Sequence, residues 1–263
     1  MISNHFQRLV CLNFLQFTHN FFTPVSSTKF ISQAIKSPTM VKHLNQQEAI
    51  DVDQTLFNTY KFSVDQLMEL AGLSCANVVA KTYPEQKKVL VCAGPGNNGG
   101  DGLVCARHLK LFGFDPVVYY PKAPSKELYI NLLHQCKSMD IPITESLPAQ
   151  VNDFSLIIDA IFGFSYKPPL REMFVPVIEL LKTTKIPVVS IDIPSGWDVE
   201  EGPVEHIYQP HTLISLTAPK LCAQKFTGAN HFLGGRFIPK QLERDYDLNL
   251  PKYEGIDNFV KLN

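Results

Sequence analysis

The chain has 263 residues, 45% hydrophobic and 19% charged, enough apolar material for a sizeable core and too much for wholesale disorder. Its 24 Lys and Arg nearly balance 25 Asp and Glu, so no global charge draws it to nucleic acid or to an anionic membrane. No apolar run reaches the roughly 18 residues of a membrane helix, and the six scattered cysteines (Cys11, Cys75, Cys92, Cys105, Cys136, Cys222) never form C-x-x-C, which argues for buried thiols over a zinc site or a disulfide framework.

From Met1 to Gln47 there is no Asp or Glu, while Arg8, Lys29, Lys36 and Lys42 stand among Ser, Thr and Phe. An acid-poor, basic, Ser-containing leader has the composition of a mitochondrial transit peptide, and a mitochondrial location is expected. A secretory signal with Leu9–Phe17 as its apolar region is a competing reading, although Asn13 and Gln16 interrupt that region and no A-x-A site follows. A disordered extension, with Met40 starting a cytoplasmic form, stays open as a third. Residues 1–40 are therefore set apart as a targeting or disordered segment, and residues 41–263 are expected to form one domain.

The folded part opens on two helices. Asn45–Tyr60 mixes polar and apolar residues at helical spacing, and Ser63 with Gln66 three residues on forms a capping-box signature before Leu67, Leu70, Leu73, Val78 and Val79. Short β-branched runs then alternate with helical patterns. Strands are expected at Val89–Ala93, Pro116–Tyr120, Leu156–Ile161, Pro187–Ile193 and Leu213–Thr217, and helices at Gly102–Phe112, Lys126–Ser138 and Glu172–Thr183. Continuous apolar strands in this alternation imply a doubly wound α/β domain with a mainly parallel sheet covered on both faces.

The first of these strands runs into Gly94-Pro95-Gly96-Asn97-Asn98-Gly99-Gly100-Asp101-Gly102, read as a loop before a helix that begins at Gly102. Gly94, Gly96 and Gly99 satisfy G-x-G-x-x-G, a pattern that lets backbone approach a phosphate at a helix N-terminus. The second strand ends Tyr119-Tyr120-Pro121-Lys122, without the acid that a dehydrogenase uses to hold ribose, and no Gly-Lys-Ser/Thr follows the loop. A nucleotide is indicated, but neither hydride transfer nor kinase chemistry. Asp159 and Asp192 are carboxylates set into buried apolar strands, where an unpaired charge is costly. Ligands of open parallel sheets bind beyond the carboxyl ends of strands, so the Asn-Asn loop, Asp159, and Asp192 with Ser195 are expected to converge on one crevice.

The Gly94–Gly102 run, Asp159-Ala-Ile-Phe-Gly-Phe-Ser165, Ile191-Asp-Ile-Pro-Ser-Gly-Trp-Asp198, Ser215-Leu-Thr-Ala-Pro-Lys220 and Leu233-Gly-Gly-Arg-Phe237, in this order, closely resemble the NAD(P)H-hydrate epimerase family. The resemblance extends from about Val41 to Leu262. It implies a Rossmann-like three-layer α/β/α sandwich and interconversion of the R and S hydrates of NADH and NADPH (NADHX and NADPHX) at nicotinamide C6, in partnership with a dehydratase. It further implies substrate contacts from Asn97, Asn98, Gly99, Gly100 and Asp101, from Gly163, Phe164, Ser165, Tyr166, Lys167, Pro168 and Pro169, and from Asp192. One potassium ion per subunit is implied on Asn98, Asp159 and Ser195, whose amide, carboxylate and hydroxyl oxygens are hard donors suited to a hard cation. A homodimer and, for vertebrate members, apolipoprotein A-I binding also come with the resemblance. Family members often carry Gly after the Lys of Gly-Phe-Ser-x-Lys, where this chain has Pro168-Pro169. Asp192 is the candidate general acid/base, with Lys122 as an alternative proton donor. A non-catalytic dimerisation scaffold, as in the related decapping-enhancer proteins, is the rival reading, opposed by the joint presence of Asn98, Asp159, Asp192 and Ser195.

Overall fold

The computed structural model describes residues 40–167, 169–203 and 208–263. Pro168 and residues 1–39 lie outside the described set, and the readings of the N-terminal segment fall there.

Two capped helices come first. Helix α1 (Gln46–Asn58) starts on a capping box between Asn45 and Glu48, and α2 (Val64–Thr82) on the one between Ser63 and Gln66. Each box satisfies two of the N–H groups that a helix start leaves without partners. Then follow β1 (Lys88–Ala93), α3 (Asn97–Leu111), β2 (Asp115–Tyr119), α4 (Glu127–Ser138), β3 (Ile143–Thr144), β4 (Leu156–Ala160), α5 (Val175–Thr183), β5 (Val188–Ile191), β6 (Thr212–Leu216), β7 (Asn230–Gly234), α6 (Lys240–Asp245) and β8 (Phe259–Lys261). The eight strands form one sheet in the order β3-β2-β1-β4-β5-β6-β7-β8, parallel throughout except for the β7–β8 pair. This is a doubly wound α/β fold with its topological switch between β1 and β4.

Strand alternation builds the two faces. Val89, Val91, Leu156 and Ile158 pack with α2, α3 and α4 in one core. Leu90, Cys92, Ile157 and Val188 point the other way, against Val177, Ile178 and Leu181 of α5. A third cluster joins α1 and α6 through Leu44, Val52, Leu56, Ala218 and Leu242, with Phe164 packed against it. Leu44 forms a parallel bridge with Lys220, so the chain just before α1 is stitched to the carboxyl end of β6. All five described cysteines are free and buried. No described helix is long and apolar enough to cross a membrane.

The Gly-rich run is helical five residues earlier than expected: α3 begins at Asn97, with Gly96 as N-cap, and not at Gly102. Its glycines other than Gly96 are packing residues. A Cβ on Gly99 would stand 1.8 Å from the Gly94 carbonyl oxygen, and one on Gly102 would stand 2.5 Å from the Ala160 Cβ. Gly72 of α2 meets Val104 of α3 in the same way. The run reads as a loop because Gly disfavours helices intrinsically, but here it lets a helix lie against both the sheet and α2.

Candidate active site

Beyond the carboxyl ends of β1, β4, β5 and β6 lies a cavity of about 580 Å³, within the range of small-molecule sites. Asn97, Asn98 and Asp101 reach it from the first turns of α3, Gly163, Phe164, Ser165, Tyr166, Lys167 and Pro169 from the segment after β4, and Asp192 from the end of β5. Gly99 and Gly100 do not line it. They are buried against the Gly94 carbonyl and the Met68 sulfur.

Asp192 is placed by a strained turn. Its φ is 65°, and the Ile193 N–H donates to the Ile191 carbonyl across it at 2.8 Å, the pattern of a γ-turn. The end of β6 repeats the device: Thr217 has φ 67°, and the Ala218 N–H donates to the Leu216 carbonyl at 2.7 Å. A non-glycine residue in this region costs on the order of 1–3 kcal/mol and persists only where the surroundings fix it, commonly at functional sites.

The surroundings here are an ion pair. Lys220 Nζ donates to Asp192 Oδ1 at 2.5 Å and to the Leu216 carbonyl at 2.9 Å, and it stands 5.4 Å from the Phe164 ring centroid. Both partners are almost fully buried, Lys220 at 3% exposure and Asp192 at 6%. Lys220 lay within the Ser215–Lys220 match, but only the structure makes it a site residue. Lys122, in contrast, is exposed and is not among the cavity's lining residues, which removes it as a proton donor. His108, toward the C-terminal end of α3, is tied to Glu69 of α2 at 2.7 Å and is not among the cavity's lining residues, a structural arrangement.

Asp53 of α1 also lines the cavity, and nothing local in the sequence marks it. Burial raises its pKa to about 6, with Lys220 opposing and Asp192 reinforcing the shift. Asp101 is pushed well above the usual carboxylate range, chiefly by burial and then by Asp192 and Asp53. Three carboxyl groups thus face one ammonium.

The candidate cation ligands lie beside this cavity. Asp159 is fully buried and ringed by hydrogen-bond donors. Its Oδ1 accepts from the Ser195 hydroxyl at 2.5 Å and the Ile161 N–H at 3.3 Å, and its Oδ2 from the Ser195 N–H at 2.8 Å, the Ser190 hydroxyl at 2.9 Å and the Tyr208 hydroxyl. A buried carboxylate gathers donors because each lone pair left bare is costly. All five donors are neutral, so its charge has no cationic partner among the described residues, and burial raises its pKa despite the hydrogen bonds. Ser195 Oγ also accepts the Phe162 N–H at 3.0 Å. The segment continues to Gly163, where a Cβ would lie 3.3 Å from the Asn98 Cβ. Asn98 is buried, with neither amide oxygen nor amide nitrogen hydrogen-bonded to any described residue. An uncompensated carboxylate and an orphaned amide oxygen fit a hard monovalent cation.

A family model described as YjeF-related protein N-terminus matches residues 64–222. NAD(P)H-hydrate epimerase of Anopheles darlingi is 61% identical over 228 residues, covering 85% of this chain and all of the mosquito protein. The protein of the same name from Aedes aegypti is 60% identical over 232 residues, again across its full length. The crystal structure of the yeast protein ynu0 superposes with a TM-score of 0.80 at 41% identity, covering 84% of this chain and all of the yeast chain. With the fold, the strand-end site and near-complete matches in agreement, the chain belongs to the NAD(P)H-hydrate epimerase family, with a YjeF-type N-terminal domain.

Proposed function

We infer that the chain is an NAD(P)H-hydrate epimerase, an isomerase that interconverts the R and S forms of NADHX and NADPHX so that a dehydratase can repair both. The observation that carries the reading is the buried Asp192–Lys220 pair facing a dinucleotide-sized cavity at the strand ends. The relatives' printed name and their full-length identity support it. C6 of the hydrate bears a hydroxyl beside a ring nitrogen. Protonation and loss of that hydroxyl leave an iminium, which water re-enters from either face. A carboxylate beside C6 stabilises the cation and takes a proton from the returning water, a role that the position of Asp192 in the cavity lining supports. Lys126, Lys167 and Arg171 line the same cavity and suit the phosphates of a dinucleotide. The decisive assay supplies pure R-hydrate to this protein together with a dehydratase. Consumption of the R form faster than its spontaneous epimerisation is expected, and equal rates would refute the function.

A potassium ion on Asn98, Asp159 and Ser195 would balance the Asp159 charge and fix the Phe162–Gly163 wall of the cavity. Potassium should then raise the melting temperature relative to a bulky organic cation, by about 2.7 kcal/mol of stability at a hundredfold excess over Kd. Asn98→Ala should abolish the increment while leaving stability in potassium-free buffer nearly unchanged, because the Asn98 amide has no hydrogen bond to lose among the described residues. Coincident melting curves in the two cations would refute the site.

The acid-poor leader supports a mitochondrial destination. Import of the full chain, but not of one starting at Val41, into isolated mitochondria is the corresponding test. A homodimer is carried by the resemblance alone.

A further inference from the structure

We propose that Asp101, in the second turn of α3, is the acid that expels the C6 hydroxyl, working opposite Asp192. This rests on the epimerase reading of the cavity.

Epimerisation sets a requirement that one carboxylate meets poorly. The hydroxyl departs from one face of the ring and needs a proton there. Water returns on the other face and must lose a proton there. A single group beside a ring held still reaches one face, so two groups on different elements are called for. Asp192 is already engaged, through Oδ1, with Lys220 and the Leu216 N–H. Asp101 comes from a different element, is buried at 9% exposure, and lines the cavity with no hydrogen bond to its carboxyl from any described residue. Asn98, one turn earlier on α3, is also buried, also lines the cavity and also lacks a partner. Two unpartnered polar side chains on one helix end describe a surface made for a ligand rather than for the fold.

A carboxyl that receives no donor is best suited to carry its own proton. Every element packed around Asp101 favours that. Asp53 faces it from α1, Cys75 from α2, Cys105 from α3 itself, Tyr129 from α4 and Asp192 from the end of β5, and none is a cation. Lys220 is the one cation near it among the described residues, and that ammonium is bound to Asp192. Burial and the neighbouring carboxylates hold Asp101 protonated well above the usual carboxylate range, whereas Asp53 titrates at about 6. A carboxyl that receives no donor and one held as a carboxylate against an ammonium divide naturally into acid and base.

The step balances without a co-reactant other than water. The Asp101 proton moves to the C6 hydroxyl, the C6–O bond breaks with its electron pair on the departing water, and the N1 lone pair forms N1=C6. Water then forms a C6–O bond on the other face, the N1=C6 pair returns to N1, and the proton goes to Asp192. The reverse conversion exchanges the two roles, and in successive R-to-S turnovers Asp192 gives up its proton and Asp101 regains one by exchange with water.

Asp101→Asn keeps the size and removes the acid. Turnover in the R-to-S direction should fall about 10²–10⁴-fold, with KM changed only a few-fold. Asp101→Ala should be as slow and should regain turnover saturably with added formate, a rescue that loss of a structural contact would not show. In the wild-type protein at pH 7, infrared spectroscopy should find the carbonyl band of a protonated carboxyl group. Near-normal turnover of Asp101→Asn, a formate-insensitive loss, or a wild-type spectrum without that band overturns the proposal. Wild-type protein that fails to accelerate epimerisation would instead remove the functional reading beneath it.

Discussion

Lys220 and Asp192 illustrate how one residue's placement depends on another. Each is buried, and each is the other's only ionic partner among the described residues. Truncating Lys220 to Met should cost about 3–5 kcal/mol in a urea titration, because a buried carboxylate then stands uncompensated. Adding Asp192→Asn to that variant should recover much of the loss, a coupling that a double-mutant cycle reads directly. A second buried group sets a pH limit. His231 accepts or donates a 2.9 Å hydrogen bond with Ser215, and burial lowers its pKa to about 4. The unfolded chain therefore binds a proton near pH 6.5 that the folded chain refuses. The stability tied to neutral His231 is present above pH 6.5 and is lost as pH falls toward 4, by about 3 kcal/mol. The His231→Gln variant should lack that share of the acid slope, as urea midpoints across this range will show. Asn97, Asn98, Asp101 and Asp192 could be picked out as site residues because each flanks the carboxyl end of a legible strand. Asp53 could not, because only the tertiary fold brings an unremarkable position of α1 to the cavity, and Lys220 reads in isolation as a surface lysine.

Helix α3 sets propensity against packing. Gly102→Ala would gain about 1 kcal/mol on helix propensity alone. Its Cβ, however, would stand 2.5 Å from that of Ala160, and overpacking of this kind costs about 1–3 kcal/mol. Sterics should win, so the variant should unfold at lower denaturant, and a higher midpoint would show that α3 can move off the sheet. This conflict also explains which elements were legible. The five expected strands and four of the five expected helices form within about three residues of their expected positions, because apolar runs and capping boxes are local signals. The start of α3 was missed because its glycines answer to neighbours far along the chain. Strand β3, at two residues, is too short to show alternation, and β8 and α6 span three and six. Asn230–Gly234, which forms β7, is bounded by polar and glycine residues that read as loop.

At the level of the whole molecule, alternating strands and helices made the doubly wound sheet legible, and with it the crevice beyond the strand ends. The roof over that crevice was not. Residues 42–44 join the rest of the domain through Lys42 N–H to Leu248 O at 2.9 Å and Leu44 N–H to Pro219 O at 2.8 Å, and Leu44 is fully buried. A chain starting at Val41 keeps these contacts and should melt like the full chain. One starting at Gln46 loses the burial of Leu44 and the Asn45 cap, about 3 kcal/mol together. Differential scanning calorimetry of the two truncations separates the outcomes, and equal melting would show that the stitch contributes nothing.

That stitch also imposes an order on biosynthesis. Lys42, which bonds the Tyr246 carbonyl 204 residues later, leaves the ribosome early, and its partner follows about 10–40 s behind at ordinary elongation rates. Through most of that interval α1 lacks the surface of Ala218, Leu242 and Leu248 on which Val52 and Leu56 pack, and the cavity lacks Lys220. The nascent chain is therefore without a complete site until Lys220 has emerged, and helix α1 is a natural client for a chaperone until its packing partners follow.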